Sequence, residues 1–180
     1  MKKFTISVAA IALLAGAPVL AQSVGEKTGI NSALDIAPTT ADFVKEAATS
    51  DMLEIQAAKV AEQKGDAEEK KFGAEMVTDH TKTSSELKAL VTSGDVKADI
   101  PASLDESSEK KLNQLNDAKP EDFPGIYDPM QVGAHKDAVS LFERYSKGGD
   151  NPKLKDWAGK TLPTLQHHLE MAEAMNKNRK

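Results

Sequence analysis

An all-α four-helix bundle is the fold this sequence predicts: two helical hairpins joined by a long connection that carries a short extra helix. Three observations predict it. Four long segments repeat apolar side chains at spacings of three and four, the period of one helix face. Turn-forming residues, Gly65 and then Gly148-Gly149-Asp150-Asn151-Pro152, divide those segments into two pairs. Nothing beyond the N-terminal leader reads as a strand.

The chain opens with a secretory signal. Lys2 and Lys3 supply a positive start, Phe4 to Leu20 is almost wholly apolar, and Val19-Leu20-Ala21 ends on a small residue. The apolar run is shorter than the ~20 residues of a membrane span, and Gly16 and Pro18 interrupt its end. Cleavage after residue 21 and a periplasmic location are therefore expected. Residues 22–38, with Gln22, Ser23, Gly25, Gly29, Asn31 and Pro38, read as a poorly ordered linker, with a short packed segment around Ala33-Leu34 as the alternative. The bundle then occupies residues 39–177.

Thr39 or Thr40 can cap the first long helix, and Asp42 adds negative charge to its first turn. Phe43, Ala47, Ser50, Glu54, Ala57 and Ala61 share its face, and Gly65 ends it. The second runs from about Ala67 to Val91, with Phe72, Met76, His80, Thr83, Leu87 and Leu90 in line. A loop over Thr92 to Pro101 and a short helix around Leu104, Leu112 and Leu115 follow. The stretch from Lys119 to Gly125, with two prolines, is expected to break the pattern. The third helix covers about Ile126 to Lys147, with Met130, Ala134, Ala138, Leu141 and Tyr145 on one stripe and Val132, His135, Val139 and Phe142 beside it. The fourth starts at Pro152, suited to a first helical position, and carries Leu154, Ala158, Thr161, Leu165, His168, Ala172 and Met175. Pro163 should kink it, and the basic tail from Asn176 should fray.

Composition excludes several functions. The 180 residues include 23 Lys+Arg and 28 Asp+Glu, a net charge of −5, so no basic footprint for nucleic acid exists. With no cysteine there is no disulfide, thiolate metal site or cysteine nucleophile. Aromatics are 4 %, so the core rests on Ala, Leu, Val and Met. No later segment could span a bilayer. Gly-x-Ser-x-Gly, phosphate-loop and His-Glu-x-x-His signatures are all missing, and no catalytic residue is assigned.

Three of the four histidines, His80, His135 and His168, fall on apolar stripes of three different helices, and Glu54 falls on the seam of the remaining one. Buried ionisable groups are costly unless paired. They satisfy one another, Glu54 accepting from ring N–H groups, or they converge on a divalent metal, for which imidazole and carboxylate suit Zn, Fe, Cu or Mn, or they face solvent by coincidence. Axial distance tests this. Glu54 and His80 lie ~16 and ~22 Å from the Gly65 turn. If the long connection crosses the bundle, His135 and His168 fall at ~15 and ~8 Å on the same scale. Glu54, His80 and His135 then share a level within about a turn, with His168 farther off; without the crossing His80 and His135 agree best, so they are the pair that both arrangements keep. Asp79 points off the His80 face and reads as a surface residue. His167 is placed for a local contact with Glu170. The methionines read as core filler.

Asp79-His80-Thr81, Gln131-x-x-x-His135 before Leu141-Phe142, and Leu162-Pro163-x-Leu165-x-x-His168-Leu169 together resemble the bacterial family called domain of unknown function 4142. The resemblance covers roughly Ala41 to Met175. It implies a ferritin-like bundle, favours the crossing connection, and comes with the label predicted outer membrane protein. It implies no activity. A ferritin-like di-iron site needs Glu-x-x-His on two helices. Val77, Val132 and Leu165 stand three before the histidines, so that motif is absent. The expected function is a non-enzymatic envelope or stress-related role, with an envelope protein as partner. The alternative is a divalent metal-binding protein using Glu54, His80, His135 and His168.

Overall fold

The computed structural model describes residues 23–179, and among them every regular element is a helix. The expected signal peptide lies outside the described residues. Two short helices come first, α1 (Val24–Lys27) and α2 (Ile30–Ala33). Four long helices follow: α3 (Thr40–Lys64), α4 (Ala67–Thr92), α6 (Phe123–Gly148) and α7 (Pro152–Asn178), with the shorter α5 (Glu106–Asp117) between the pairs.

The α3–α4 turn is tight because its residues leave no alternative. Gly65 sits where a Cβ would come within 2.6 Å of the Ala61 carbonyl oxygen and 2.7 Å of Glu69 Cβ. Asp66 accepts from the backbone of Glu68 and Glu69, while Glu69 Oε2 accepts from the Asp66 N–H at 2.7 Å, a reciprocal capping box. Farther along, a Cβ on Gly73 would meet the Ala58 carbonyl oxygen at 3.0 Å. Small residues at Ala57, Ala58 and Ala61 thus bring the two backbones together.

The second hairpin enters from the opposite end. Phe43 near the start of α3 stacks on Tyr145 near the end of α6, centroids 4.1 Å apart. Phe72 near the start of α4 packs on Tyr127 near the start of α6. The connection from Thr92 to Phe123 therefore runs the length of the protein. Lys64 fixes its far end, donating to the carbonyls of Leu115, Asn116 and Ala118 at the C-terminus of α5.

Three sequence expectations change. The proline break is the start of α6: Pro124 occupies the first turn, where an absent N–H removes no intrahelical bond. The basic tail does not fray, because α7 continues to Asn178 and Arg179 pairs with Asp66 at 2.6 Å and Asp128 at 3.0 Å. The linker stretch contains α1 and α2, and Glu26 within it pairs with buried Arg144 at 2.6 Å. Pro163 lies inside α7, and the helix continues through it.

The apolar core falls into two clusters. Phe43, Leu87, Leu141, Phe142, Leu154 and Trp157 belong to one; Phe72, Met76, Leu115, Phe123, Tyr127 and Met175 belong to the other. His80, His135 and His168 belong to neither. They contact each other between them, with Phe72 of the second cluster 6.0 Å from His135.

Candidate metal centre

Three long helices each bring one histidine to the interior: His80 from α4, His135 from α6 and His168 from α7, exposed by 2, 0 and 1 %. Ring centroids are 5.7 Å apart for His80–His135, 5.5 Å for His80–His168 and 5.4 Å for His135–His168. Each ring offers a nitrogen within 4.8 Å of those offered by the other two.

Every ring is held at one nitrogen. His80 Nδ1 is 2.8 Å from Asp51 Oδ1, whose other oxygen accepts from Thr83 and Ser84 hydroxyls. His135 Nδ1 donates to the Gln131 carbonyl at 3.0 Å. His168 Nε2 is 2.9 Å from Asp79 Oδ2. Carbonyls and carboxylates only accept, so these nitrogens carry the protons. The lone pairs of the neutral rings are then on His80 Nε2, His135 Nε2 and His168 Nδ1, and all three atoms are buried with no hydrogen-bond partner among the described residues.

Electrostatics separates the rings. Burial lowers His80, but the Asp51 hydrogen bond, with the charges of Asp51, Glu54 and Asp79, outweighs it and leaves the ring above the ordinary histidine value. Burial pushes His135 down, assisted by His80 and opposed by Glu54. His168 is pushed down to about 4, chiefly by burial, against the Asp79 bond and with repulsion from the other two rings. His135 and His168 are thus neutral near pH 7, the form that ligates a metal.

Glu54 is buried, and neither of its oxygens has a hydrogen-bond partner among the described residues. It lies outside the 4.8 Å histidine group, yet its charge acts on His80, His135 and Tyr127. The expectation that Glu54 accepts from ring N–H groups is therefore corrected. Asp51, the Gln131 carbonyl and Asp79 take those bonds instead. The side-chain amide of Gln131 and the Tyr127 hydroxyl are also buried without partners. A buried polar group without a partner costs ~1–3 kcal/mol, and the three unpartnered ring nitrogens His80 Nε2, His135 Nε2 and His168 Nδ1 belong to the one histidine group whose ligand atoms lie within 4.8 Å of one another.

His168 joins the site that axial distances denied it. Those distances compared Cα levels, whereas each Cα–Cβ bond leans toward its own helix N-terminus. On antiparallel α6 and α7 the lean carries His135 away from the Gly149 turn and His168 toward it. The ~7.5 Å offset of five residues is closed from both sides. Asp79, read as a surface residue, anchors His168 across the α4–α7 seam. His167 lies 3.8 Å from Glu75 rather than beside Glu170. Asp51 and the Gln131 backbone are not among the residues the sequence singles out. Asp51 lies three residues before Glu54 on α3, but its partner His80 is on the facing helix and the spacing within α3 does not encode it; a backbone carbonyl leaves no signal at all.

A family model described as Domain of unknown function (DUF4142) matches residues 25–175. No curated protein and no solved structure matches the chain.

Proposed function

The chain belongs to the DUF4142 family, whose description assigns no activity, and we propose that this member is a non-enzymatic, exported protein that binds a divalent transition metal. His80, His135 and His168 are the ligands in this reading, and Glu54 supplies negative charge beside them. The observation that carries it is the shared pattern of the three rings: one nitrogen tied to a fixed acceptor, the other bare and turned to the same interior. Outer partners of that kind fix tautomer and ring orientation in metal sites. Three imidazoles with a carboxylate nearby suit Zn, Cu, Fe or Mn.

Two further parts of the reading rest on other support. The ferritin-like bundle is supported by two antiparallel hairpins and a connection running their length. Export to the periplasm is supported by Lys2, Lys3 and the apolar stretch to Leu20. An envelope protein partner fits that location.

Elemental analysis of the protein purified from periplasm tests the metal. One equivalent of metal is expected, with loss of that metal in His80→Ala/His135→Ala. Absence of stoichiometric metal, or its retention in the double variant, overturns the reading. The competing account, a buried layer of hydrogen bonds alone, is favoured by the Asp51–His80 and Asp79–His168 contacts. It predicts loss of stability in both single variants with no metal in any of them.

A further inference from the structure

Of the three anchored ring nitrogens, His168 Nε2 has the partner most open to solvent. Asp51, which holds His80, has a side chain 8 % exposed, and His135 is held by backbone within α6. Asp79, which holds His168, is 32 % exposed. Glu75 lies one turn before it on α4, and Glu75, Asp79 and His168 each offer a ligand atom within 4.8 Å of the others. His167, 60 % exposed, places Nε2 3.8 Å from Glu75 Oε1. Two carboxylates and two imidazoles from facing helices thus meet at the surface, with His168 common to them and to the buried rings.

We propose that Glu75, Asp79, His167 and Nε2 of His168 form a surface site for a divalent transition metal, and that this site loads the buried one. The loading role rests on the metal-binding reading above; the surface site does not. Mixed carboxylate and imidazole ligands suit the same ions, and the carboxylates attract them to the side of the triad where the buried His168 ring is held by the partly exposed Asp79. The shared ring keeps protons balanced. With an ion on Nε2, the single proton of neutral His168 resides on Nδ1. With the ion moved to Nδ1, the proton resides on Nε2, where Asp79 accepts it. Inward transfer of the ion therefore moves one proton outward across one ring, with none gained or lost.

Co2+ added to the full mature protein tests this, because its visible bands separate a nitrogen-rich, four-coordinate inner site from an oxygen-rich outer one. His80→Gln/His135→Gln should lose the inner bands and still take up Co2+ weakly. Adding Glu75→Gln/His167→Gln should abolish that uptake. On its own, Glu75→Gln/His167→Gln should reach the wild-type inner spectrum, but on the order of tenfold more slowly. No Co2+ uptake by His80→Gln/His135→Gln overturns the surface site, whatever the wild type does. Unchanged loading in Glu75→Gln/His167→Gln overturns the loading role. Outer bands without inner bands in the wild type overturn the buried site and leave the surface site standing.

Discussion

His80 Nδ1 and Asp51 Oδ1 stand 2.8 Å apart with both side chains buried, and the contact ties α4 to α3 at the level of the histidine triad. Asp51 therefore sets the direction in which His80 Nε2 faces. Asp51→Asn keeps an acceptor but removes the charge and leaves the Thr83 and Ser84 donors opposite an NH2 group if the carbonyl turns to His80. Loss of an outer partner typically weakens metal binding 10–100-fold. The expected outcome is a Co2+ affinity lower by about that factor, measured by chelator competition. Wild-type affinity in Asp51→Asn would show that the pair is purely structural.

Acid should destabilise the metal-free protein through the other two rings. His135 and His168 are depressed, the latter to about 4, below the ordinary 6.5. The unfolded chain then binds more protons than the folded one between those values. The stability these groups contribute is complete above 6.5 and falls as pH drops below it, for His168 down to about 4. His80 is raised, so its contribution has the opposite sense: full below 6.5 and lost as pH rises through its folded value. His168→Gln removes one acid-sensitive group. Denaturant titrations from pH 7 to pH 4 should show a flatter decline, by up to about 3 kcal/mol over that range. An unchanged slope would place the acid sensitivity elsewhere.

The helices were legible in the sequence because one repeated signal, apolar spacing of three and four, is also what packs them. Thr39, Asp66 and Asn151 cap as their residue types direct. The start of α6 was obscured because Pro124 disrupts a helix interior but suits a first turn, and sequence alone leaves that position open. The site was half legible. Imidazoles on otherwise greasy stripes identified His80, His135 and His168, since each breaks a local pattern. Asp51 and Asp79 act across helix seams. Their roles depend on which helix lies opposite, and no periodicity within α3 or α4 encodes that.

Arg179 closes the end of the protein remote from Phe43. It pairs with Asp66 at 2.6 Å and Asp128 at 3.0 Å, with Glu69 3.6 Å away. Burial, with the Asp66 N–H bond opposing, raises Glu69 to about 6, and burial raises Asp128 despite the Arg179 bond. Without the guanidinium the two buried carboxyls lose their cation. Arg179→Ala should cost about 1–3 kcal/mol at pH 7.5. The penalty should shrink toward pH 5, where protonation of Glu69 relieves the repulsion. Equal penalties at both pH values would mean that the carboxyls are not what Arg179 stabilises.

Glu26 decides whether residues 22–38 are a tether or part of the folded unit. Its carboxylate meets Arg144 Nη2 at 2.6 Å, with side chains 3 and 5 % exposed, and Arg144 Nη1 donates to the Ile36 carbonyl at 2.7 Å. Asn31 adds a donor to Glu26 Oε2, and the Ser23 N–H donates to Asp42. Removing one partner of a buried ion pair leaves the other without compensation, at a cost of about 3–5 kcal/mol, whereas an apolar replacement of both is often near neutral. Glu26→Gln and Arg144→Met should each lower the denaturation midpoint strongly, and the double variant should lose less than the sum of the two. A loose tether would behave differently: Glu26→Gln would then change stability by less than about 0.5 kcal/mol, as substitutions on a mobile surface do. The double-variant cycle reads the pair directly, because global unfolding of one variant would appear as loss of cooperativity and not as a coupling energy.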